Sequence, residues 1–124
     1  MPRTTGPILN NGLAATIDLV ITNDSEVLTV IFDLEVFIIN GSGIAKTPIV
    51  HELFSIPPLA NINKTFSIAG AQAFELQADA TATDGTGGHA TANIFSTDTL
   101  GNLIFAGRVL GSETEQITAL TPVP

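Results

Sequence analysis

The residues nearest to an enzymatic arrangement in this 124-residue chain are two pairs of carboxylates. Asp33 and Glu35 stand two apart in an alternating stretch. On one strand face their carboxyl groups would lie on the order of 7 Å apart, a separation compatible with glycoside hydrolysis. Glu75 and Asp79, four apart, share a face in the same way. A carbohydrate site normally stacks its sugar on Tyr or Trp, and the sequence contains neither. A solvated outer sheet face accounts for both pairs. His51 and His89 are distant in sequence and have no neighbouring His, so they read as surface or strand-end side chains rather than metal ligands. Gly41-Ser42-Gly43 lacks the spacing of a nucleophile elbow and reads as a turn. Asp84-Gly85 lacks the alternating carboxylates of a calcium loop, and Gly85, Gly87 and Gly88 open no helix that could cradle a phosphate. Arg108 is expected to pair with an outward carboxylate. No catalytic residue, cofactor site or metal site can be assembled, so the chain is not expected to be an enzyme.

Composition narrows the function further. Four basic residues against twelve acidic ones give a formal net charge of −8. Four scattered cations cannot track a phosphate backbone, so nucleic acid is not an expected partner. With no cysteine there can be no disulfide framework, thiol catalysis or thiolate zinc site. A hydrophobic share of 44% with 13% charged residues supplies a core for one domain. The start, Met1-Pro2-Arg3-Thr4-Thr5-Gly6-Pro7, has no apolar h-region. The longest purely apolar run, Val36-Phe37-Ile38-Ile39, is far short of the roughly 20 residues that span a bilayer. Neither membrane insertion nor a standard secretory route is expected.

The elements that must position these residues are strands. Thr, Ile and Val are abundant, and the apolar period is two. Leu13, Ala15, Ile17, Leu19 and Ile21 alternate with polar neighbours. Leu28, Val30, Phe32, Leu34, Val36 and Ile38 form one side of a long strand. Pro48 places the next strand late or at a sheet edge. Thr65–Ile68 reads as a short strand. Phe74, Leu76, Ala78, Ala80 and Ala82 point inward while Glu75, Gln77, Asp79, Thr81 and Thr83 face water. The three inward alanines imply a close approach of two sheets. Strands about His89–Ser96, Leu103–Leu110 and Gln116–Leu120 complete the set. Asn23-Asp24-Ser25, Asn40-Gly41-Ser42 and Asn63-Lys64-Thr65 match the glycosylation sequon but read as turns. Seven or eight short strands at such intervals predict an all-β fold, an antiparallel β-sandwich or jelly roll, with an up-and-down barrel as the alternative.

The informative part is residues 1–12, ahead of a single sandwich domain at 13–124. Arg3, Thr4, Thr5, Pro7, Ile8 and Leu9, set between Pro2 and the Gly6 and Gly12 hinges, make an extendable N-terminal arm. A sandwich this small has little spare surface for such an arm. A neighbouring copy is a natural receptor, by strand addition to an open sheet edge. That head-to-tail contact generates a filament unless the rotation closes. An arm folded along its own sheet is the alternative.

A small cysteine-free β-sandwich without a signal peptide, preceded by a connector, resembles the subunits of endospore appendages (ENA fibres) of Bacillus-type spores. The resemblance covers the arm Met1–Gly12 and a Thr/Ile/Gly-rich texture through residues 60–110. It implies jelly-roll subunits whose connectors insert into preceding subunits, forming an extracellular fibre on the spore surface. It also implies synthesis in the mother cell without a signal peptide, and a spore-surface anchor or tip protein as a partner besides the chain itself. The better-known appendage types carry connector cysteines, so this chain would be a disulfide-free type held by strand pairing and by Ile8 and Leu9. The second expectation is a ligand-binding or virion/tail decoration module acting through the loops Asn40–Gly43 and Asp84–Gly88. Copies of charge −8 repel one another. Raising the salt from about 0.01 to 1 M shortens the screening length roughly tenfold and is expected to promote assembly, measured by light scattering; dissolution by salt would instead show that ion pairs hold the copies together.

Overall fold

The computed structural model describes residues 2–123, and of residues 105–107 only the backbone. Met1 of the arm and Pro124 of the sandwich domain lie outside the described residues. In chain order the strands are β1 (Pro2–Thr4), β2 (Ile8–Leu9), β3 (Thr16–Asn23), β4 (Val30–Ile39), β5 (Thr47–Ile56), β6 (Asn61–Ser67), β7 (Ala73–Ala82), β8 (Ala90–Thr97), β9 (Leu103–Leu110) and β10 (Glu115–Gln116). A 3-10 turn at Gly111–Glu113 separates the last two. Among the described residues no helix is long and apolar enough to cross a membrane.

Two antiparallel sheets face each other as a β-sandwich, and no strand ladder joins them among the described residues. The first runs β10-β1-β7-β4-β5, with β2 also paired to β7; the second runs β6-β3-β8-β9. The apolar alternation decides which face of each strand lies between them. Ile17, Leu19 and Ile21 of β3 meet Phe32, Leu34 and Val36 of β4 and Phe74 and Leu76 of β7, and all are at least 97% buried. Burying such side chains stabilises the fold by about 1.5–3 kcal/mol each. Pro48 sits within β5, at the edge of its sheet, beside the register shift between Val36 and Phe37 of β4. An edge position leaves the missing proline N–H without consequence.

Several strand limits differ from the expectation, three of them for a visible reason. β6 begins at Asn61 rather than Thr65, because it pairs with β3 along seven residues. β3 begins at Thr16, and Leu13 is 62% exposed ahead of it. The strand expected over Gln116–Leu120 shrinks to Glu115–Gln116, because its partner β1 is only three residues long.

The outer face of the first sheet is also not solvated as expected. Glu35, Glu75 and Gln77 are buried, at 3%, 7% and 4% exposure, and Phe37 on the same face is 1% exposed. Lys46 from the β4–β5 connection lies over the Phe37 ring at 4.4 Å and reaches Glu75 at 2.7 Å. Thr121 of the C-terminal segment exchanges two hydrogen bonds with Gln77, at 2.9 and 2.7 Å. These polar side chains are shielded because connections fold back over them, which strand alternation does not report.

One polar side chain ties the sheets together. Asn23 ends β3, is fully buried, and its Nδ2 donates to the carbonyls of Leu28 at 2.8 Å and Ile56 at 3.0 Å, with Pro57 O at 3.2 Å. Its Oδ1 accepts from Ser25 N at 3.0 Å. This is the Asn of one sequon, and its amide is committed to the fold; Asn40 and Asn63 are exposed. Asn23→Ala is expected to cost about 2–4 kcal/mol by orphaning buried carbonyls, read as a lower denaturant midpoint with an unchanged slope.

Candidate functional site

Residues 2–9 lie in the sheet of their own chain. β1 pairs antiparallel with β7 in the register Pro2↔Asp79, Arg3↔Ala78, Thr4↔Gln77, and with β10 on its other side through Arg3↔Gln116 and Thr4↔Glu115. Ile117 N adds a bond to Pro2 O at 3.0 Å. The arm therefore fills a slot between two strands rather than capping an edge. β2 continues along β7 as Ile8↔Phe74 and Leu9↔Ala73. Five arm residues, Thr4 to Ile8, span four of β7, Gln77 to Phe74, and the extra residue is taken up at Gly6, whose φ of +64° favours glycine.

Each residue of the arm has a distinct environment. Arg3 shares the inner side with Ala78, and its exposed guanidinium donates from Nε to Thr114 Oγ1 at 2.6 Å and from Nη2 to Thr114 O. Thr4 is buried on the outer side, where its hydroxyl donates to Glu75 Oε2 and accepts from Gly6 N at 2.9 Å. Thr5 exchanges hydrogen bonds with Leu76, N to O at 3.0 Å and Leu76 N to Oγ1 at 3.1 Å. Pro7 is exposed, Ile8 packs against the core, and Leu9 is 71% exposed, so only one of the two aliphatic residues acts as a plug.

The root of the arm is Asn10, which strand periodicity does not single out. Its side chain bonds Ala14 N at 2.9 Å, Ala71 O at 3.0 Å and Ala14 O at 3.2 Å, while its backbone N donates to Gln72 O at 2.7 Å. The turn-forming run Asn10-Asn11-Gly12 directly after Leu9 was the available signal.

Beside the arm the sheets do not close. The expected tight contact at the inward alanines is replaced by a half-open cleft of about 660 Å³; only Ala82 is packed tightly, at 4% exposure. Ala78 and Ala80 of β7 face Ala90 and Ala92 of β8 across it. Sheets pack about 10 Å apart, and the larger side chains of the adjoining core hold that spacing, so four methyl groups cannot fill it. The opposite side of the sandwich is closed by Phe54 and by Lys64, which stands 4.7 Å over its ring and bridges to Glu52 at 3.2 Å. Gly111, also in the lining, lies tight against β8: a Cβ there would meet Ala92 O at 2.6 Å.

The residues considered for chemistry are otherwise satisfied or dispersed. Asp33 pairs with His51 at 3.1 Å. Glu35 stands opposite His51 and Gln77, and its Oε1 lacks a hydrogen-bond partner. Burial pushes its carboxyl above the usual range, offset in part by His51. In the 84–88 loop Asp84 Oδ1 accepts from Thr86 N at 3.0 Å and Oγ1 at 2.6 Å, which holds its carboxyl low, and Thr86 meets His89 at 2.9 Å. Asn40 Oδ1 accepts from Gln72 N at 3.0 Å. Arg108 is exposed on β9, and the carboxylates of the three ion pairs found among described residues belong to Lys46, His51 and Lys64. Among the described residues no group of three or more His, Asp or Glu side chains could hold a metal ion. No protein-family model, curated protein or solved structure matches this chain.

Glu75 couples the arm to pH. Burial pushes its carboxyl up, but hydrogen bonds from Lys46, Thr4 and Gln77 outweigh this and hold it below the usual value. A depressed carboxylate contributes stability above its unfolded pKa and loses it as pH falls through the folded one. Glu35, shifted the other way, gains stability on protonation and opposes this. Between about pH 5 and pH 3 the urea midpoint of the wild type is expected to fall more steeply than that of Glu75→Gln. Parallel slopes would show that the carboxylate does not hold the arm.

Proposed function

We propose that the protein is a non-enzymatic, self-assembling structural subunit in which Pro2–Thr5 of one copy fills the slot between β7 and β10 of the next. The observation that carries this reading is the interior position of the arm, hydrogen-bonded on both edges although it is a short segment at the start of the described chain. Those bonds involve backbone groups that a second copy also carries, so exchange preserves every one of them. Gly6, with open space where a Cβ would stand, is the pivot, and the Asn10 bonds keep the root in place. Because each copy donates one arm and offers one slot, exchange propagates head to tail into a filament.

This reading supports the resemblance to endospore appendages: a homopolymeric, disulfide-free fibre on the spore surface, joined to an anchor or tip protein. The nested pairing of β3 with β8 and β4 with β7 supports a jelly-roll description of the sandwich. The loop-based binding module has less in its favour, since Asp84 already bonds within its own turn and Asn40 is engaged by Gln72 N of the β6–β7 connection.

The absence of cysteine provides the test. Arg3 and Ala78 are cross-strand partners, and such pairs lie within disulfide reach. Arg3→Cys chains mixed with Ala78→Cys chains under assembly conditions and then oxidised are expected to give covalent heterodimers, while microscopy of the unmodified protein shows filaments. A chain carrying both substitutions that closes only within itself, with no cross-link between chains in the mixture, would reject exchange.

A further inference from the structure

We propose that the cleft between the sheets binds the alkyl chain of an aliphatic monocarboxylate, with Arg3 holding the carboxylate at its mouth. The cleft, of about 660 Å³, falls in the range of small-molecule sites and is far larger than the voids of a packed core. Its walls are aliphatic, formed by the four facing alanines together with Leu34 and Leu76. A water molecule needs two to four polar partners, and walls of this kind supply few. Phe32 is the one aromatic side chain among the described lining residues, so the lining suits a flexible chain better than a stacked ring.

Charge decides the head group. Although the chain carries −8 overall, no Asp or Glu lines the cleft among the described residues, and Arg3 is its one charged group. Thr114 takes the Nε–H of Arg3 and one Nη2 bond. A guanidinium has five N–H donors, so several remain for an anion. Ser112 and Thr114 line the cleft beside Arg3, the Thr114 hydroxyl donating to Gly111 O at 2.6 Å. An apolar channel ending in a tethered guanidinium selects an amphiphile that is anionic at one end. Because Arg3 reaches the mouth through the β1–β7 register, the site is complete in a single chain and does not depend on arm exchange.

The test is calorimetric titration of the full chain with dodecanoate, 1-dodecanol and dodecyltrimethylammonium below their aggregation concentrations. Dodecanoate is expected to bind once per chain and more tightly than either analogue. Arg3→Gln should weaken dodecanoate by about tenfold or more while leaving 1-dodecanol unchanged, as expected for loss of a charge-assisted bond. Ala80→Leu, with folding checked by its thermal transition, should remove binding of both. No binding of dodecanoate to the wild type, equal affinity for the cationic analogue, or unaltered binding to a folded Ala80→Leu would overturn the proposal. Cross-linking between chains in the cysteine experiment has no bearing on these outcomes, so the two ideas fail separately.

Discussion

The structure depends on completing both edges of β7. This ten-residue strand pairs with β4 along its whole length, and a row of backbone amides and carbonyls on its other edge must still find partners. No strand of the sandwich proper supplies them. Residues 2–9 do, and in doing so they give β10 something to pair with. The arm is thus a structural member of the first sheet. Its departure would leave two unpaired ladders, so any displaced arm must be replaced by an equivalent one.

The same requirement explains why polar side chains gather on the outer face beside β1. Thr4 reaches Glu75, Glu75 takes Lys46, and Gln77 takes Thr121, so the arm, the β4–β5 connection and the C-terminal segment converge on two successive outward positions of β7. Buried charge is tolerated there because it is paired. On β4, directly opposite Gln77 on the same face, Glu35 keeps an unbonded oxygen, and its carboxyl is shifted the other way by burial. Neighbouring carboxylates of one sheet face therefore contribute to stability with opposite sign as pH falls, for reasons set by their contacts and not by their residue type.

On the inner side, the arm closes part of the sandwich and leaves part open. The core is dense where Phe74, Ile17 and Leu34 meet, and it thins to methyl groups toward Ala78 and Ala80. Arg3 stands at that opening because its side chain shares the face of Ala78. One three-residue strand thus links sheet completion, a titrating carboxylate and the mouth of an apolar cleft.

The sequence by itself determined the strands and their inward faces. A period of two with β-branched residues leaves few alternatives, and the buried positions of β3, β4 and β7 follow it. It also marked Pro48 as an edge position. What only the tertiary structure decided is which strands adjoin and what lies over their outer faces. Inward alternation says that Ala78 and Ala80 face a second sheet, but the gap between sheets is fixed by the largest side chains nearby, so small residues produced a cleft and not a close contact. Glu75 and Gln77 alternate like solvent-facing residues, yet long-range folding of Lys46, Thr4 and Thr121 buries them. The placement of the arm was likewise beyond periodicity, since a three-residue strand carries too little pattern to name its partners; only the open edge of β7, a property of the assembled sheet, does so.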